Sequence, residues 1–159
     1  MPLKAVFKVW QLDNDSCCYF CGVGYEFTIH VFATCEKLKG LWAILSDAHK
    51  VLTSEHFDYR FVRSQYHLDL ASTKCNKTYE KTLIYLNSVV NYIIWRHRND
   101  IRYRFINFDL ETLSRKIICS IGARKARDHY VIESYKVPFI NELHDAMLCA
   151  VNHFPFDNG

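Results

Sequence analysis

The sequence predicts a mainly α-helical protein, with a Cys3His knuckle near the amino terminus followed by a small bundle of about four helices. Three observations carry this. Apolar residues recur at steps of three and four over several long segments, which is the helical period. Beyond a hairpin within the cysteine-rich stretch, no pair of segments alternates convincingly as strands. Four of the seven cysteines fall between positions 17 and 35, with a histidine among them. A chain of 159 residues, half of them apolar, can bury one core or join a small metal-held module to a helical one.

The elements follow in order. Residues 3–12, "LKAVFKVWQL", set Val6, Phe7, Val9 and Trp10 on a short helix, and "DNDS" at 13–16 is a turn cluster. After the Cys/His stretch, residues 36–52 place Leu38, Leu41, Trp42, Leu45 and His49 on one helical face. Residues 53–77 are poorly periodic and read as loop with a short element around "FDYRFV". From Thr78 the pattern sharpens: Tyr79, Leu83, Leu86, Val90, Ile93, Ile94, Ile101 and Phe105 form the stripe of one long helix. "NFD" at 107–109 breaks it, with Asp109 as the N-cap of a second helix whose apolar face is Leu110, Leu113, Ile117 and Ile121. The same register puts Arg124 and Asp128 on that face, where they can pair. The surroundings must therefore change near Gly122, by a bend or by an end to the buried contact. A last helix over about 140–152 holds Ile140, Leu143, Met147 and Val151. The expected organisation is a metal-binding module with its following helix at 1–52 and a helical region at 53–159, packed as one unit.

Several function classes are disfavoured. The amino terminus lacks the apolar core and cleavage site of a secretory signal, and no run is long enough to cross a membrane. An odd number of cysteines without such a signal argues against a disulfide framework and for reduced thiols in the nucleus or cytoplasm. On that reading the acceptor-like Asn76-Lys77-Thr78 is chance. There is no phosphate loop, nucleophile elbow or paired-carboxylate signature, so neither catalysis nor a small-molecule substrate is expected. His49, His56, His67, His97, His129, His144 and His153 are scattered and fall in no ligand pattern; Cys75, Cys119 and Cys149 lie apart.

The chemistry-bearing stretch is "CYFCGVGYEFTIHVFATC" at 18–35. Its spacing, Cys-x2-Cys-x8-His-x4-Cys, names Cys18, Cys21, His30 and Cys35 as ligands of a structural Zn2+ ion. Two thiolates two residues apart reach one ion from a tight turn, which Gly22 and Gly24 permit. A closed Cys3His set leaves no position for water, so the site reads as structural and not catalytic. His30 and Cys35 stand ~140° apart on an ideal helix, so a helix must end or deform between them. Cys17 offers a slipped alternative for the first ligand.

These residues also resemble a known family. Trp10, "CYFCG" at 18–22, Glu26 and Thr28, "HVFATC" at 30–35 and "LW" at 41–42 resemble, in order, the zinc-binding region that follows the polymerase in non-LTR retrotransposon reverse transcriptases. Phe27 intervenes between an acidic residue and a threonine that usually adjoin. "IIWRHRN" at 93–99 resembles a helical segment further along the same elements. The resemblance covers about a third of the chain. It implies a role in holding RNA or target DNA near a polymerase, and a chain that is a fragment or remnant. Neither an Asp-Asp pair nor a Pro-Asp pair occurs, so only the zinc ligands carry over and no catalysis does.

Positive charge is concentrated. Residues 96–136 carry ten Lys/Arg against five Asp/Glu, whereas 137–159 carry three acids and no Lys/Arg. Within "WRHRNDIRYRF" (95–105), Trp95, Arg98 and Arg102 share one face of the helix, off the apolar stripe. With Lys125 they are the candidate nucleic-acid contacts, gripping phosphates and stacking a base. Arg115, Lys116, Arg124 and Arg127 could extend the surface. The expected partner is RNA or DNA, with a reverse transcriptase domain as a second one. The alternative function is a helical protein-interaction module that docks on a polymerase and binds no nucleic acid itself.

Overall fold

The computed structural model describes residues 17–53 and 79–156. The expected short helix at 3–12, Trp10 of the family resemblance, the 53–77 loop, His56, His67, Cys75 and Asn76 therefore lie outside or almost wholly outside the described residues. Among the described residues there are four long helices: α1 (Lys39–Thr53), α2 (Glu80–Arg104), α3 (Leu110–Asp128) and α4 (Ile140–His153). Ahead of α1 come a π-helical turn at His30–Thr34 and a 3-10 turn at Glu36–Leu38, and a second 3-10 turn lies at Glu133–Tyr135. Among the described residues the only β pairing is a bridge between Cys17 and Tyr25. The mainly helical architecture with an amino-terminal knuckle is thus as the sequence predicts.

α4 is the central helix, packing on α1 on one side and α3 on the other, and α3 in turn packs on α2. The reason lies in its apolar stripe: Ile140, Leu143, Ala146, Met147 and Val151 are all buried. α1 answers with Leu41, Trp42, Ile44, Leu45 and Ala48, and α3 with Leu113, Ile117, Ile118 and Ile121. Gly40 lets the start of α1 come close to α3, because a Cβ there would lie 2.5 Å from Leu110 and 2.9 Å from Phe154. One apolar cluster runs from Cys18 and Phe20 through all four helices to Val151. Each Leu, Ile or Met buried this way contributes roughly 1.5–3 kcal/mol of transfer free energy.

The helix ends are set by local chemistry. Asp109 caps α3, its carboxylate accepting from the Glu111 N–H at 3.2 Å and the Thr112 N–H at 3.0 Å. The Thr112 hydroxyl first, and then these amide bonds, hold the Asp109 carboxyl below its ordinary range. α2 ends at Arg104, and Phe105 turns into the left-handed region at φ 55°. This corrects the sequence reading of Phe105 as part of the buried stripe: the turn swings its ring outward and leaves the residue 89% exposed. Ile101, one turn earlier, is packed against the core.

The buried contact does not end near Gly122: α3 runs on to Asp128, and Asp128 is buried. Its carboxylate faces an ion-pair partner and an amide donor. Arg124 Nε lies 2.6 Å from Oδ1, and the Val137 N–H donates to Oδ2 at 2.9 Å. Arg124 also donates to the Tyr135 carbonyl. The face that is apolar at Ile117 and Ile121 therefore becomes an ion pair that fastens the 129–139 connection. Thr82 fastens the same connection from α2, its hydroxyl donating to the Pro138 carbonyl.

Candidate metal centre

The knuckle is built on short backbone bonds. The Gly22 N–H donates to the Cys18 carbonyl at 2.8 Å, and the Cys18 N–H to the Gly24 carbonyl at 2.6 Å, closing the loop that carries Cys18 and Cys21. Gly22 sits at φ +73°, a conformation that other residues adopt only with strain. Gly24 is needed for a different reason: a Cβ there would lie 2.7 Å from the His30 ring. The loop thus lets the imidazole lie directly against it.

Thr28 and Ile29 begin a helical turn that widens at His30–Thr34, where the Cys35 N–H bonds to the His30 carbonyl five residues back at 2.8 Å. A π turn of this kind brings residues i and i+5 onto one side of the backbone. This is the deformation that the ~140° separation on a regular helix demands.

The Cys18, Cys21 and Cys35 sulfurs and one His30 ring nitrogen all lie within 4.8 Å of one another. Cys18 Sγ is 4.0 Å from Cys35 Sγ, and Cys21 Sγ is 3.3 Å from His30 Nε2. Four such atoms can hold one metal ion. Cys18 and Cys35 are buried, Cys21 and His30 partly so, and none is in a disulfide. Cys17 stands outside the group, so of the two alternatives for the first ligand the geometry selects Cys18. Of the two buried thiols, Cys18 is the one prepared for charge. A hydrogen bond from the Cys35 thiol, with help from the Cys21 and Phe20 amides, lowers Cys18 to about 5. Cys35, which keeps its proton to donate that bond and is buried, is pushed well above the ordinary thiol range.

The centre is tied to the helical body at two places. Glu26, in the loop between Cys21 and His30, is fully buried and forms a two-pronged ion pair with Arg98 of α2, at 2.9 Å to Nε and 2.5 Å to Nη2. Phe20 packs edge-on to Phe108 at 5.4 Å, and the His97 ring lies between 5.8 and 6.4 Å from both. His97 is therefore a core residue.

The expected nucleic-acid contacts fare differently. Arg98 is 2% exposed and committed to Glu26 and to Asn99 Oδ1, so it is corrected from a phosphate contact to an internal structural residue. The reason is its register: Ile94 and Ile101, at i−4 and i+3, bracket it on the buried face. Trp95 is half-buried beside the Tyr92 ring at 6.0 Å. The Arg102 guanidinium lies over Tyr103 at 5.0 Å and Tyr19 at 5.8 Å. Lys125 is 3.6 Å from Asp145 of α4, roughly 13 Å of helix beyond Lys116. The four do not form one surface. What the sequence reading passed over is a groove between α2 and α3 walled by Arg96, Arg104, Arg115 and Lys116. Cys119 and Cys149 are exposed and single, and no described helix is long and apolar enough to cross a membrane.

Compared with protein-family models, with curated proteins and with solved structures, the chain gives no significant match.

Proposed function

We propose that the chain is a non-catalytic, zinc-stabilised module that binds nucleic acid, related to the region after the polymerase of non-LTR retrotransposon reverse transcriptases. The observation that carries the reading is the convergence of Cys18, Cys21, His30 and Cys35. Zinc takes thiolates at ~2.3 Å and imidazole at ~2.0–2.1 Å in a tetrahedron, whose edges are then about 3.8 Å for two sulfurs and about 3.5 Å for sulfur and nitrogen. The 4.0 and 3.3 Å separations fit that ion. Three sulfurs and one nitrogen fill its four positions, so its work is to hold the fold.

The kinship is supported by where its two matching stretches go. Glu26 belongs to the first and Arg98 to the second, 72 residues apart, and they meet as a buried pair. The nucleic-acid reading draws on the arginines of α2 and α3 that still face outward.

The test is elemental analysis of the purified chain, with binding of RNA and DNA across a salt series. One zinc per chain and a log–log slope of two or more support the reading. No zinc, or no binding at low salt, overturns it. A second reading, docking on a polymerase domain, is favoured by one observation. Val23, Tyr25, Phe27 and Ile29 alternate outward along the knuckle and are exposed. Self-association without nucleic-acid binding would select it.

A further inference from the structure

The groove between α2 and α3 has a volume of about 520 Å³. Arg96 and Arg104 from α2 and Arg115 and Lys116 from α3 face each other across it. Two carboxylates steady these cations without cancelling them. Asp100 lies between Arg104 and Lys116, at 3.4 and 3.6 Å, and Glu111 holds Arg115 at 2.7 Å. Arg96 makes no ion pair with any described residue.

Directly after Arg104, which lines the groove, the chain places Phe105. It is a non-glycine residue in the left-handed region with its ring almost wholly in water, and among the described residues it joins neither the core nor another ring. Both features oppose folding: the backbone conformation costs of order 1 kcal/mol or more, and the apolar area is unburied. Neighbouring Tyr103 is also well exposed, at 63%. Rings presented beside a row of cations suit a polyanion that carries flat faces of its own. A duplex hides those faces between base pairs; a single strand offers them.

On the reading of the preceding section, we propose that this groove is a track for single-stranded nucleic acid. Arg96, Arg104, Arg115 and Lys116 hold successive phosphates, and Phe105 with Tyr103 stacks unpaired bases at its end. Glycine at 105 separates the ring's role from any role in the fold, because glycine accepts the left-handed backbone without strain and removes only the ring.

The experiment measures binding of labelled twelve-nucleotide oligo-dT, oligo-U, an abasic strand of the same length and a duplex. The proteins are the parent chain, R96E/R115E, F105G, and a control, K37E/K50E, exposed on the 3-10 turn ahead of α1 and on α1 itself. R96E/R115E is expected to weaken single-strand binding about tenfold or more near 0.1 M salt and to lower the salt slope by about 1.4. K37E/K50E should stay within about twofold. F105G is expected to weaken the base-bearing strands about tenfold, leave the abasic strand unchanged, and melt at or above the parent temperature. If the parent binds but R96E/R115E binds equally well with its metal and helicity intact, the groove is overturned and the broader reading stands. If the parent binds nothing at low salt, both fall. A preference for duplex, or F105G binding like the parent, overturns the single-strand track.

Discussion

The knuckle and the helical body keep their shape by opposite means. In α1, α3 and α4 most buried side chains are Leu, Ile, Met or Ala, and the stabilisation is spread over many small contributions. In residues 17–35 the apolar contribution is thin. Val23, Tyr25, Phe27 and Ile29 point outward, while the buried groups include two thiols and a carboxylate. That region is fixed by a few strong, directional interactions: four donors around one centre and one ion pair to α2. A distributed structure loses stability gradually as groups are removed, and a concentrated one loses it at a single step.

On the zinc reading proposed above, the most severe way to break this contrast is to take away the ion. Structural zinc in finger peptides contributes about 10–16 kcal/mol near neutral pH, more than a small domain's whole stability. A strong chelator, or Cys21→Ser, should therefore abolish amide protection through residues 17–38, while α3 and α4 keep most of theirs; hydrogen exchange reads both. Equal loss in the two regions would mean that they fold as one cooperative unit.

Next in size is the Glu26–Arg98 pair. Glu26→Gln leaves a guanidinium buried without its counter-charge, and about 3–5 kcal/mol should be lost in a denaturant melt. Arg98→Met in the same background should recover much of it, since the pair together is replaceable where either half alone is not. Equal destabilisation by the single and double variants would show that the charge itself matters little.

The body should respond less. Leu143→Ala, in the centre of α4, is expected to cost about 2–5 kcal/mol and leave metal stoichiometry unchanged. Loss of metal from that variant would join the two regions more tightly than proposed here.

The smallest effect sharpens the seam between the regions. Burial, then the Lys116 ammonium 3.4 Å from Nδ1, holds His97 below its ordinary value of 6.5, against weaker pulls from Asp100 and Asp109. The unfolded chain then binds the proton first, so this contribution is complete above pH 6.5 and is lost as the pH falls below it. With zinc saturating, stability should drop as the pH falls below 6.5, and His97→Phe should flatten that slope.

Much of this was legible in the residues. The steps of three and four that mark α1, α2, α3 and α4 are a local property, and so is the Asp109 cap. The ligand spacing even required a distorted turn between His30 and Cys35, and a π turn is there. What escaped was long-range or directional. Nothing in "YEFT" announces that Glu26 will meet an arginine 72 residues on, although Ile94 and Ile101 around Arg98 hinted that its face was covered. Phe105 keeps the apolar register of α2, and only the left-handed turn beyond Arg104 removes it. The α2–α3 groove joins residues from two helices whose pairing no single-helix projection contains.

The position of Glu26 between the second and third ligands has a consequence for a newly made chain. On the zinc reading, a loop without its ion has little to hold the carboxylate in place, and α2 is left with a guanidinium facing its own interior. Metal uptake would then supply that arginine with its counter-charge as well as fixing the loop.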